Sequence, residues 1–118
     1  MQPREDSYCY LCAYLHGDYS DKYTDEHHVF HGTANRVLAE RYGLKVNLCK
    51  YHHTAGLEAV HLNNDINVML KKKGQLRFEE YYPKLSFQSI FGINYLDDAD
   101  RVQKQSSKDF GFKFIEPI

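Results

Sequence analysis

At 118 residues the chain holds one ordinary domain and is too short for a two-lobed enzyme with an interdomain cleft. A hydrophobic share of 42% and a charged share of 26% exclude wholesale disorder and collagen-like repetition. The net charge of −1 hides a division: residues 1–32 carry two basic against six acidic side chains and residues 33–84 nine against five, a basic middle suited to phosphate contact but weaker than that of many dedicated DNA-binding domains.

In chain order, Ser7 to Tyr23 reads as turn-rich and holds the first two cysteines, and His27 to His31 reads as extended before Gly32 breaks the run. Thr33 caps an expected helix with Ala34, Val37, Leu38 and Tyr42 facing inward and Gly43 at its end. Leu44, Val46 and Leu48 alternate with polar neighbours, the pattern of a second short strand that delivers Cys49 at its end. A helix is expected from His53 to His61, and another from Asn64 or Asp65 with Ile66, Met69 and Leu70 inward, Lys71, Lys72 and Lys73 in its last turn and Gly74 as its stop. Gln75 to Tyr82 adds a helical turn or two closed by Pro83, with Phe78, Tyr81 and Tyr82 as core, and Phe87, Ile90, Phe91 and Ile93 form a last apolar segment. The expected domain spans residues 8–96. The polar tail, 97–118, ends in the alternating run Phe110–Ile115, which reads as an edge strand or as a docking segment for a protein partner.

No apolar run approaches the ~18 residues of a membrane span, and Met1–Asp6 lacks the apolar region of a signal peptide, so the expectation is a cytoplasmic chain with no membrane contact. In that compartment three cysteines at close spacing point to metal more than to disulfides. Cys9-Tyr10-Leu11-Cys12 is a C-x2-C knuckle, and Cys49-Lys50-Tyr51-His52 is a C-x2-H pair 36 residues later. Two residues between ligands let a tight turn aim both at one tetrahedral ion, and three thiolates with one imidazole make a usual structural zinc shell. His16 is the alternative to His52 as fourth ligand, and three buried free thiols are the alternative to a metal site.

All seven histidines lie between His16 and His61. With four ligands assigned to zinc, His27 and His28 on the first strand and His53 beside His52 form a second group, the candidate active site. A neutral imidazole can take a proton from water at neutral pH, and His28 suits that role. In a regular strand His27 and His28 point to opposite faces, so sharing one site requires a bulge or a strand end. His31 either shares the His27 face or is exposed. His61 lies about 80° around and ~12 Å along an ideal helix from His53, which leaves it at most a contact to phosphate or to a metal ligand. Arg36, Arg41 and Lys71–Lys73 are further candidates for DNA backbone contact, although a lysine run reads first as a solvated helix end.

The order C-x2-C, His27-His28-Val29-Phe30-His31-Gly32, then Cys49-x2-His52-His53-x2-Gly56-x4-His61 resembles the ββα-metal, or HNH, endonucleases of the zinc-knuckle type, and is most similar to a phage and prophage group related to recombination-enhancement nucleases. The resemblance covers residues 9–61 and extends more loosely to residues 91–96. It implies an α+β fold with a zinc-stapled ββα-metal core and additional C-terminal helices. It implies DNA as substrate, His28 as general base, and His27 and His53 as ligands of a catalytic divalent ion, Mg2+, Mn2+ or Ni2+. Many members carry aspartate where this chain has His27, and the family's asparagine has no clear counterpart, since Asn47 lies too near Cys49. A nitrogen-rich site favours ions softer than Mg2+. The competing classes are a non-catalytic zinc module that binds DNA or protein and a metal sensor or store.

Overall fold

The computed structural model describes residues 1–101, so the expectation for Phe110–Ile115 lies outside the described residues. The element order is α1 (Tyr10–His16), β1 (Asp25–His28), α2 (Thr33–Arg41), β2 (Lys45–Leu48), one π-helical turn (Tyr51–Ala55), α3 (Asn64–Tyr81) and α4 (Phe87–Phe91). The chain is a small α+β domain whose only sheet among the described residues is the antiparallel pair β1–β2. Its register sets Asp25 opposite Leu48, Glu26 opposite Asn47, His27 opposite Val46 and His28 opposite Lys45.

The knuckle region is helical where turns are expected. Cys9 opens α1, its sulfur accepting from the Cys12 amide at 3.4 Å, so a candidate metal ligand takes the place of the usual serine or aspartate cap. Strand β1 begins and ends earlier than its sequence suggests. The strand ends at His28, one further bond runs from the Val29 amide to the Leu44 carbonyl at 3.0 Å, and the consecutive Val29 and Phe30 side chains are both buried in the core. Helix α2 forms where expected but rotated: Val37 is 59% exposed, while Ala39 is buried with Leu38 and Tyr42 packed beside it. The expected helix over residues 53–61 is absent. The chain leaves the π-helical turn through an extended Gly56 and doubles back, with the Val60 amide donating to the His52 carbonyl at 2.8 Å and the His61 amide to that of His53 at 3.4 Å.

Gly74 does not stop a helix but lies inside one. Asn63 caps α3 through Ile66 N, and the helix runs 18 residues through Gly74 to Tyr81. A Cβ at Gly74 would sit 3.0 Å from both Val29 Cγ1 and Phe30 Cε2, so the missing side chain lets α3 press directly on the end of β1. Beyond that contact Phe30 packs on Phe87, Phe91 and Tyr95 at ring separations of 5.2, 5.1 and 5.6 Å. Phe78 and Tyr82 join this core, whereas Tyr81 and Ile93, expected to be apolar filling, are 63% and 42% exposed.

Residues ahead of the knuckle dock on β2. Buried Asn47 donates from Nδ2 to the carbonyls of Pro3, Arg4 and Asp6 and accepts from Arg4, while its amide donates to Gln2. The Met1 ammonium donates to the Gly43 carbonyl. Among the described residues no helix is long and apolar enough to cross a membrane.

Candidate functional site

The hairpin, α1 and the π-helical turn bring Cys9, Cys12, Cys49 and His52 together, all buried. His52 Nδ1 lies 3.6, 3.3 and 3.6 Å from the sulfurs of Cys9, Cys12 and Cys49, and Cys12 Sγ lies 3.8 Å from Cys49 Sγ. Ordinary zinc bond lengths put the edges of a regular tetrahedron of three sulfurs and one nitrogen at about 3.8 Å between sulfurs and about 3.5 Å between sulfur and nitrogen. The four side chains therefore fit a metal such as zinc. Burial, and then neighbouring Cys9, push the Cys12 thiol up to about 12.

Glu58 completes this cluster and has no sequence signal, because its role depends on the turn after Gly56. With Nδ1 facing the sulfurs, His52 carries its proton on Nε2 and donates it to Glu58 Oε1 at 3.1 Å; His16 Nε2 donates to the same oxygen at 2.8 Å. His16 is thus a partner of the carboxylate rather than a fourth ligand. Carboxylates in this position fix a ligand's tautomer and raise its basicity.

The next residue belongs to a second group. His27, His53 and His61 each offer a ring nitrogen, and the three lie within 4.8 Å of one another. Ring centroids are 5.3 Å apart for His27–His53, 5.4 Å for His27–His61 and 4.9 Å for His53–His61. The ideal-helix reading of His61 fails here, because the doubled-back turn returns it to His53 instead of carrying it ~12 Å away. His31 borders the group, with ring centroids 6.2 Å from His27 and 6.4 Å from His61. Asp25, two residues before His27 and so on its face of β1, lies with Oδ2 3.4 Å from His53 Nδ1.

Burial, followed by the charges that His53, His61, His31 and His28 would carry, lowers the His27 pKa to about 3, so this ring is neutral. Its Nε2 is buried and has no hydrogen-bond partner. A buried polar atom left unpaired costs about 1–3 kcal/mol, and the three ring nitrogens are close enough together that they could hold a metal ion. His61 is lowered by burial and by His53, and His31 by burial, by Lys71 and by His61.

His28 and Arg36 lie elsewhere. Strand β1 pairs in regular register through His28, so the alternation that separates His27 from His28 holds. His28 Nε2 lies 2.8 Å from Glu40 Oε1 on α2, and Lys45 holds the other oxygen of Glu40 at 2.9 Å. His28 and Glu40 line an open groove together with Gly32, Thr33, Arg36 and Val37. Asn47 is spent on the N-terminal segment and joins neither group. No family model, curated protein or solved structure matches the chain.

Proposed function

We propose that the protein is a metal-dependent DNA endonuclease of the ββα-metal type, with a structural zinc on Cys9, Cys12, Cys49 and His52 and a divalent ion on His27, His53 and His61. The observation that carries this reading is the grouping of His27, whose buried Nε2 has no partner, with His61 and with His53, the residue after the zinc-pocket ligand His52. Three nitrogen donors suit Mn2+, Ni2+ or Zn2+ better than Mg2+. Such an ion, when bound, neutralises phosphate charge and the leaving 3′ oxygen.

The chain's own groups supply the remainder. Asp25 engages His53 Nδ1 and leaves Nε2 for the ion. Glu40 accepts the proton on His28 Nε2, which leaves Nδ1 to take a proton from water. Arg36 shares the His28 groove and can hold a phosphate oxygen there. Because β1 ends at His28, a phosphodiester lying across the strand end can meet both faces. Modest basicity and the lack of an evident recognition helix make DNA shape, or a protein bound through the tail, the source of selectivity.

The separation of His28 from the three imidazoles favours one second reading, a zinc-stapled module that binds DNA or protein and holds the second ion without cutting. Plasmid nicking by zinc-replete protein in Mg2+, Mn2+ or Ni2+ decides between them. His53→Ala should lose nicking at low metal and recover part of it at high Mn2+, whereas His28→Ala should lose it at every metal concentration. Absence of nicking by the parent in every ion establishes the second reading, and nicking by His28→Ala at the parent rate places the base elsewhere.

A further inference from the structure

The face of β1 that carries His28 also carries a connected set of charges. Glu26 and His28 share that face by alternation, and the register sets Lys45 of β2 directly across from His28 and diagonal to Glu26. The Lys45 ammonium lies 3.2 Å from Glu26 Oε2 and 2.9 Å from Glu40 Oε2, and the second oxygen of Glu40 lies 2.8 Å from His28 Nε2. One lysine thus spans two carboxylates, and one of these reaches the ring of His28.

Lys45 is the better anchored end of this chain of contacts. Its backbone pairs with β1, its carbonyl accepts from the Gln2 amide at 3.1 Å, and its side chain is 21% exposed. Glu40, on α2, is 58% exposed, and Lys45 and His28 direct its carboxylate. The oxygens of Glu26 and Glu40 that meet the ammonium are at most about 6 Å apart, the two contacts laid end to end, a distance at which like charges repel. Without the ammonium between them, Glu40 turns toward solvent and His28 loses the acceptor that decides which ring nitrogen holds the proton. Exposed ion pairs add little stability, so the effect of this one is on orientation rather than on folding energy.

We propose that Lys45 is a positioning residue: by bridging Glu26 and Glu40 it keeps Glu40 on His28 Nε2 and so holds the His28 ring in a single tautomer, with Nδ1 left for the groove. Its consequence for cleavage rests on the nuclease reading; the control of the ring does not.

The test follows the ring nitrogen resonances of His28 in the zinc-loaded full chain at alkaline pH, where imidazoles are neutral, alongside plasmid nicking in Mn2+. The parent should show one form with its proton on Nε2. Lys45→Met should give a mixture of both tautomers and lower kcat about three- to fivefold, with KM for DNA within about twofold of the parent. Lys45→Arg should keep the parent pattern, and Glu26→Gln added to Lys45→Met should restore part of it by removing the repulsion. Glu40→Ala should give the same mixture as Lys45→Met. An unchanged ring pattern in Lys45→Met or in Glu40→Ala overturns the proposal. So does a raised KM with kcat unchanged, which makes Lys45 a contact to DNA instead. A ring pattern altered by Lys45→Met, with no nicking by any protein, upholds the positioning role and removes the nuclease reading. Nicking by the parent, with a His28 ring that Lys45→Met leaves unmoved, removes the positioning role and leaves the nuclease reading standing.

Discussion

Replacing Gly74 with alanine sets two effects against each other, and the structure decides their balance. In an exposed helix interior alanine would add about 1 kcal/mol of stability over glycine. At residue 74 the new Cβ would stand 3.0 Å from Val29 Cγ1, 3.0 Å from Phe30 Cε2 and 3.1 Å from Phe30 Cζ. Carbon atoms pack at ~3.5–4.0 Å, so these neighbours must yield by about half an ångström. Neither has room: Val29 is fully buried, and Phe30 is backed by Phe87, Phe91 and Tyr95. Overpacking of this kind costs about 1–3 kcal/mol, enough to cancel the helix gain and leave Gly74→Ala less stable by about 1 kcal/mol, or roughly 4–8 °C in Tm for a domain of this size. Val29 lies two positions after His27, so displacement of the strand end should also weaken the metal binding proposed for the three imidazoles. Urea and thermal unfolding of zinc-saturated protein measure the first effect, and titration with Mn2+ the second. A variant as stable as the parent, or more so, would refute the close approach of α3 to β1.

Removing zinc with a chelator, or changing Cys12→Ser, should abolish cooperative unfolding and collapse amide dispersion in NMR spectra, since structural zinc supplies about 10–16 kcal/mol in small sites, as much as the whole stability of an ordinary domain; a folded metal-free protein would contradict this. Glu58→Ala should lower zinc affinity about tenfold in chelator competition by depriving His52 Nε2–H of its acceptor, while His16→Ala, on the exposed side of the same carboxylate, should change it by about twofold at most.

The parts of the fold that sequence reveals are those specified within a few residues. C-x2-C and C-x2-H spacings constrain ligand geometry locally, and the four donors do converge. Alternation marks Leu44, Val46 and Leu48 as buried, and α3 begins at Asn64, one of the two expected starts, although the cap is the preceding Asn63. What escaped depends on distant packing. Gly74 has the chemistry of a helix stop and is retained inside α3 because Val29 and Phe30 occupy the space of its side chain. Val37 fits the apolar period of α2 equally well on a face that no element covers. Residues 53–61 carry helix-compatible residues, yet Gly56 is extended and the chain doubles back, which moves His61 from a remote position into the imidazole group. Asp25 and Glu58 are ordinary surface carboxylates in the sequence and gain their roles only from that turn and from the hairpin register.

His52 and His53 are neighbours in the chain, one facing the sulfurs and the other the imidazoles, so a single peptide unit sets the separation and tilt of the two pockets. Any ion that clamps His52 thereby removes much of the rotational freedom His53 would otherwise lose on coordination. Were an ion also held by the imidazoles, as proposed, the two occupancies would be linked, and linkage is reciprocal: whatever factor zinc adds to affinity at the imidazoles, an ion there returns to zinc. On that proposal, a chain starved of zinc would hold its second ion more weakly as well.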